Sequence, residues 1–535
     1  MNLRIERVPL VGSSLVDDYL AGRGGAGEFY AGDPYDLAEY RKRAVETAAR
    51  FATAERRAVV EILRPSSERA AHRLARFVAE GGAVVTTGQQ AGLFGGPLYT
   101  LYKALTAVRL AEVMEGELGM VVLPVFWVAS EDHDWEEVNH TWVPDFRGGI
   151  RRIEVERAGA VDTPIFRMPV PANVETALVQ IIQVVGTKSA TDDVLTWVED
   201  AYADAADYSA AFRRLLEVLL EPFDILTVDA ADAALKQRSV PVLERAIAAQ
   251  RDTAAAVREQ TDALRAVGYG AQVAILSEAA NVFREGELGR RRLERVAGGW
   301  RSPGTRRTIA DEELREELAA DPARFTPNVL LRPVVESAVL PVLAYVGGPG
   351  EIAYFAQLGA LFQVHGVPPP LVYPRASFVL IRDELDTDLA RLGLTLADLE
   401  FPAHELAERH ARRQLPADAA AALHLLRASL TERYDEVIAA GAALDPTLRL
   451  ALGASRERAL LEAARAERKI VRAVKRREAD ALQMLDDLLA ELRPLGEPQD
   501  RVLNALPYLA RFGPDLLGEI AARIEIPLHR KAAAS

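Results

Sequence analysis

The chain has 535 residues, 49% hydrophobic and 27% charged, a globular balance with room for about two to four domains. Its 78 acidic and 64 basic side chains give a net charge of −14, the wrong sign for a protein whose task is to coat nucleic acid or an anionic membrane. Cysteine is absent, which excludes disulfides, thiolate metal sites and cysteine nucleophiles.

The opening MNLRIERVPLVGSS lacks the apolar stretch of a secretory signal. The longest unbroken apolar run, residues 120–129, is ten residues, where a membrane-spanning helix needs about 20. A cytoplasmic protein with no membrane or nucleic-acid partner is expected. Asp33-Pro34 reads as an N-cap followed by proline at the first helical position, opening a helix over 33–64. A second helix covers 67–80 and stops at Gly81-Gly82. AVVTT (83–87) is a short buried strand. A glycine-rich loop over 88–96 leads to Pro97, which opens a helix to about Glu115. Residues 121–129 form a strand that is apolar at nearly every position, as in a parallel sheet covered on both faces. Strand, loop, helix, strand is a βαβ unit, so the fold class is α/β with a parallel sheet. Helices follow over 172–222, a strand at 224–228, one long helix at 231–266, and short strands and turns over 270–330. Alternation resumes with a strand at 343–346, a glycine loop, a helix at 351–365, and extended segments at 371–373 and 377–381.

Beyond about 385 the composition shifts to Ala, Leu, Arg and Glu. Residues 455–492 contain no Gly or Pro. Positions 460, 464, 467, 471, 474, 478, 481, 485 and 488 are apolar except Glu467 and Glu478, a seam with a period of about 3.5. Residues 418–442 supply a partner, so an antiparallel helical coiled coil is expected. Its basic run from Arg465 to Arg477 reads as a solvated face that could also take an anion, and His404, His410 and His424 read as solvent-facing. The division expected is a core over 1–385 with helical inserts at about 160–330, a helical coiled-coil domain over 386–494, and a segment over 495–535 that packs back on the core.

Three segments could carry chemistry. The first is TGQQAGLFGGP (87–97), where Gly88, Gly95 and Gly96 lie between a strand and a helix start, a setting that suits an anion. Gln89 and Gln90 add neutral donors and acceptors, and Tyr99 and Lys103 follow on the helix. No P-loop or GxGxxG fingerprint is present, and a tight crossover would also need these glycines. The second is SEDHDWEEVNH (130–140), leaving the apolar strand that carries Trp127. Strand ends carry ligands in open α/β sheets. The cluster of Glu131, Asp132, His133 and Asp134 could hold an amine or tune His133 for general acid–base use, and Asp132 is expected to bind a cationic substrate. Zinc patterns are absent and no metal is expected. The third is GGPGEIAY (347–354), where Gly347 and Gly348 precede a helix that carries Glu351 and Tyr354. Arg332 and Arg375, each beside a proline, are candidate clamps for a carboxylate or phosphate.

Together, TTGQQAGLFGGPLYTLYKA (86–104), PVFWVASEDHDWEEVNH (124–140), GYGAQVAILSEAANVF (268–283), LLRPVVESAVLPVLAYVGGPGEIAYFAQL (330–358), VYPRASFVLI (372–381) and GEPQDRVLNALPYLARFG (496–513) resemble the bacillithiol cysteine ligase family, BshC. The resemblance spans the chain in order. It implies a Rossmann-like core with helical connecting inserts, and a C-terminal antiparallel coiled coil that makes a homodimer. It also implies a carbon–nitrogen ligase that joins cysteine to the amine of glucosaminyl-malate to form bacillithiol. Amide synthesis from a free amino acid needs carboxylate activation, most simply by ATP. One departure is Ile275-Leu276-Ser277, where a more polar segment is expected. The competing reading is a non-catalytic ligand-binding or assembly protein acting through its coiled coil.

Overall fold

The computed structural model describes residues 2–146, 148–185, 189–274 and 279–529. The Ile275-Leu276-Ser277 departure lies outside the described residues.

A six-stranded sheet forms the core, in the order Leu371–Pro374, Val342–Gly347, Gly82–Gln89, Val121–Val128, Leu226–Asp229, Arg64–Pro65. All pairs are parallel except the last, where the two-residue edge strand runs antiparallel. All eight residues of Val121–Val128 are buried, as its unbroken apolar sequence requires of a central parallel strand. Successive residues serve opposite faces. Ala83, Val85 and Val122 pack with Tyr40 and Leu110, whereas Val84, Leu123 and Val125 pack with Phe77, Leu243 and Val335.

From Gly82–Gln89 the chain builds outward to Val121–Val128 and Leu226–Asp229. It then crosses to the other side for Val342–Gly347 and Leu371–Pro374. Strand order therefore reverses between Gly82–Gln89 and Val342–Gly347. Ligands of open α/β sheets bind in the crevice at the carboxyl ends of such a pair. Both glycine loops leave these two ends.

Several expected boundaries move. The helix expected over 33–64 is two, Leu37–Arg50 and Thr53–Val60, and its cap is Asp36, which accepts from the Ala38 N–H at 2.8 Å. Asp33 instead holds a turn by accepting from the Tyr35 N–H. The helix expected over 231–266 breaks at Ala249 into Ala233–Ala248 and Gln250–Ala266. That expected over 351–365 breaks into Pro349–Phe355 and Gly359–His365. The extended segment Phe378–Arg382 does not join the main sheet but pairs antiparallel with Leu3–Arg7. Residues 279–327 carry a small antiparallel sheet in the order Gly299–Arg301, Gly289–Val296, Ala279–Gly286, Phe325–Pro327.

Helices Ala417–Leu444 and Leu448–Arg477 form the antiparallel hairpin, turned at Asp445, whose carboxylate accepts from the Thr447 N–H and hydroxyl at 2.8 Å. A third helix, Ala479–Leu492, continues the seam after a break at Glu478. The seam is covered unevenly. Val471 and Val474 pack on Ala411, and Leu485 and Leu488 on Leu385, Leu389 and Leu406. Of the two acidic interruptions, Glu467 pairs with Arg412 and with Arg427 at 3.4 Å, and Glu478 lies 3.9 Å from His410. His410 is thus half-buried rather than solvent-facing, whereas His404 and His424 are exposed. Among the described residues no helix is long and apolar enough to cross a membrane.

Candidate active site

The end of Gly82–Gln89 lies close against its neighbour Val121–Val128 because glycine allows it. A Cβ on Gly88 would lie 2.7 Å from the Trp127 carbonyl of the neighbouring strand. Between the loops opens a cavity of about 450 Å³. Gly88, Gln89, Gln90, Tyr99, Lys103, Trp127, Glu131, Asp132, Gly348, Glu351, Tyr354 and Arg375 line it, and Arg332 joins them.

Lys103 bridges the two loops. Its buried ammonium donates to the Gly88 carbonyl at 2.8 Å and to Gln89 Oε1 at 3.1 Å, and it pairs with Glu351 at 2.5 Å. Gln89 in turn donates to the Tyr99 hydroxyl at 2.9 Å. Glu351 caps the start of Pro349–Phe355 by accepting from the Gly348 N–H at 2.8 Å, and it also accepts from the Tyr345 hydroxyl. Burial opposes charge on Glu351, but Lys103 and these donors outweigh it and hold the carboxyl below its usual range. Burial pulls Lys103 down, against the pull of Glu351.

The other charged groups are compensated in the same way. Arg332 pairs with buried Glu336 at 2.8 Å and stands 5.3 Å from the centre of the Tyr345 ring. Arg375 donates to Asp500 at 2.6 Å, so the expected clamp already holds a carboxylate of its own chain. Glu131 is paired with buried Lys236. Burial raises the Glu131 carboxyl and lowers the Lys236 ammonium. Asp132 accepts from Gln90 at 2.7 Å and from the His133 N–H at 2.7 Å, and Arg290 lies 3.5 Å away. Although burial pushes its carboxyl up, the His133 side chain, Arg290, the His133 N–H and Gln90 hold Asp132 well below the usual range.

Five expected residues lie outside this cavity. Gly95 and Gly96, with φ of +90° and +72°, make the crossover turn. The carbonyl of Gly96 accepts from buried Asn504 at 2.9 Å, and the Leu98 N–H that opens the helix donates to the Leu503 carbonyl at 2.8 Å. This part of the loop is a crossover held by the chain itself, not an anion cradle. Gly347 is buried, and its carbonyl accepts from the Arg375 N–H. Asp134 is the exposed N-cap of the short helix Trp135–Val138. His133 lines a second cavity of about 320 Å³. Its Nδ1 lies 3.0 Å from Arg290 and 3.4 Å from Asp132, and its Nε2 lies 3.8 Å from Asp162.

Arg290, Glu137, Gln272, Tyr345 and Arg501 also line the cavity and were missed. Arg290 sits in an Arg-Arg-Arg run that reads as a solvated strand. Arg501 lies within a quoted motif, but nothing local says where it points. Glu137 stands at the rim. Partial burial raises its carboxyl, with Asp132 and Asp134 adding to the effect against the Gln90 donor. Among the described residues no group of three or more His, Asp or Glu side chains is arranged to hold a metal.

Residues 2–376 match the family model described as the N-terminal Rossmann-like domain of bacillithiol biosynthesis BshC. Residues 378–530 match the model of its C-terminal coiled-coil domain. The chain belongs to the BshC family. A Salinibacter ruber member, "Putative cysteine ligase BshC", is 32% identical over 532 residues, covering 96% of this chain and 95% of its own. Members carrying the same name from Solibacter usitatus and Geobacillus thermodenitrificans are 32% and 29% identical, over 93% and 97% of this chain and of their own. The border between the two BshC models falls just after Arg375 and just before the strand Phe378–Arg382, where the chain leaves the cavity wall.

Proposed function

We propose that the chain is a cysteine ligase of bacillithiol biosynthesis that joins the carboxyl group of cysteine to the amine of glucosaminyl-malate in the switch-point cavity. The observation that supports this most is the composition of its wall. Lys103, Arg290, Arg332, Arg375 and Arg501 face Glu131, Asp132, Glu137 and Glu351, five cations against four carboxylates. A nearly balanced wall suits a zwitterionic amino acid and a sugar acid rather than a polyanion.

Amide formation releases water, so the carboxylate must first be activated, and ATP is the proposed reagent. The residues that the sequence offered for its phosphates do not fit that task. The Leu98 N–H is bonded to Leu503 and the Gly348 N–H to Glu351. No step is therefore assigned to the first glycine loop as a phosphate holder.

Arg332 suits the substrate carboxylate and Asp132 its ammonium group. Glu137 suits the proton of the attacking amine, since a carboxyl raised by burial is a better base than an ordinary one. His133, which lines the second cavity, is a supporting residue in this reading. Exposed Leu425, Leu426 and Leu461 on the hairpin support a homodimer through the coiled coil.

The test is a ligation assay with purified protein, cysteine, glucosaminyl-malate and ATP, read by mass. Product equal to the sum of the two substrates less water, formed only with ATP, is expected. Thermal stabilisation by the same ligands with no product would instead favour a binding protein.

A further inference from the structure

All lining residues of the cavity precede residue 376 except one, Arg501. It belongs to the segment that follows the coiled coil, within the part of the chain matched by the coiled-coil model. That segment is pinned on both sides of Arg501. Before it, Asp500 accepts from Arg375 and from the Ser377 hydroxyl, both at 2.6 Å, and all three residues are buried. Behind it, the Asn504 amide donates to the Phe94 and Gly96 carbonyls at 3.0 and 2.9 Å. The backbone that carries Arg501 is therefore fixed against both ends of the site.

Its charge is the least compensated in the wall. Lys103, Arg332 and Arg375 each pair at 2.5–2.8 Å with a carboxylate that is buried or mostly so. Arg290 lies 3.5 Å from Asp132 and is bonded to His133, Thr326 and the Pro327 carbonyl. Arg501 has Glu497 at 3.7 Å, with both side chains more than half exposed. A surface pair of that kind contributes little and is readily exchanged. An anion that reaches Arg501 displaces only this loose partner.

We infer that Arg501 is a substrate-binding residue that receives an anionic oxygen group, carboxylate or phosphate, at the mouth of the cavity. The coiled-coil part of the chain then completes the site. This rests on the ligase reading of the cavity.

The test is calorimetric titration of the full-length protein with cysteine, glucosaminyl-malate and ATP in three separate arms, using wild type, Arg501→Gln and Arg501→Lys. Losing a charge-assisted bond should raise Kd about 10-fold or more for the ligand whose anion Arg501 holds, leaving the others within about 2-fold. Lysine should restore part of the loss as a point charge. The affected arm identifies carboxylate or phosphate as the group held. Wild type that binds while Arg501→Gln binds all three equally well overturns the inference and leaves the ligase reading standing. Equal weakening in all arms with a lowered melting temperature also overturns it, because that is structural damage. Wild type that binds none of the three overturns the ligase reading, and this inference with it.

Discussion

At the scale of single residues, the site is built from paired charges, and each pair makes its own prediction. Lys103→Met leaves the mostly buried Glu351 without its cation. The expected cost is about 3–5 kcal/mol of unfolding free energy, the scale for breaking a buried ion pair. Denaturant unfolding checks it, and the double variant Lys103→Met/Glu351→Leu should recover much of the loss. Glu137 makes a pH prediction. Its carboxyl is raised, so the base is lost earlier than an ordinary glutamate would be as pH falls. Turnover should therefore decline on the acid side through that raised value, and Glu137→Gln should lower turnover by about 10²-fold and flatten the acid limb. An unchanged acid limb in Glu137→Gln would remove it as the base. Most of these residues were legible in the sequence, because strand ends and glycine loops mark themselves locally. Their partners were not. Lys103 with Glu351, Glu131 with Lys236 and His133 with Arg290 are far apart along the chain, and no local pattern encodes such pairings. His133 looked like a base because two carboxylates flank it. The arginine beside its ring comes from a distant strand.

At the scale of elements, periodicity gave strands and helices their type but not their ends. The helix expected over 231–266 breaks at Ala249, where no Gly or Pro warns of it, and Pro241 lies within the first half without breaking it. The glycine loop looked like an anion cradle because its signature is the same as that of a tight crossover. What decides between them is the segment around Asn504, which covers the loop from the far end of the chain. Asn504→Ala should leave the Phe94 and Gly96 carbonyls without that donor and cost about 1–3 kcal/mol, measurable by denaturant unfolding. The helix Gly359–His365 carries another consequence. Both ring nitrogens of His365 are buried without a hydrogen-bond partner, and burial lowers its pKa to about 4. A histidine lowered on folding stabilises fully above its unfolded value, near 6.5, and less as pH falls toward 4. Between those limits the fold should lose about 3 kcal/mol through this residue. His365→Leu should remove that part of the acid sensitivity, as melting temperatures at pH 7 and pH 4.5 would report.

At the scale of the whole molecule, the switch point, the hairpin and the returning C-terminal segment form one arrangement. The βαβ pattern and the 3.5-residue seam made the α/β core and the coiled coil legible early. What they left open is that the chain after the coil comes back to brace the cavity. The hairpin bears exposed Leu425, Leu426 and Leu461, so light scattering should give a dimer at micromolar concentration, and a monomer there would refute that assembly. The central claim is that chemistry occurs in the switch-point cavity. Gly350 lines that cavity, and a Cβ there would meet only Gln272 Nε2, at 3.9 Å. Gly350→Leu should therefore fill the space without straining the fold. The deciding measurement is the mass-detected ligation rate of Gly350→Leu beside wild type, with melting temperatures matched. The account predicts loss of turnover by about 10²-fold or more in a folded protein, the scale of a misplaced substrate. Wild-type turnover in Gly350→Leu would contradict it and move the chemistry elsewhere.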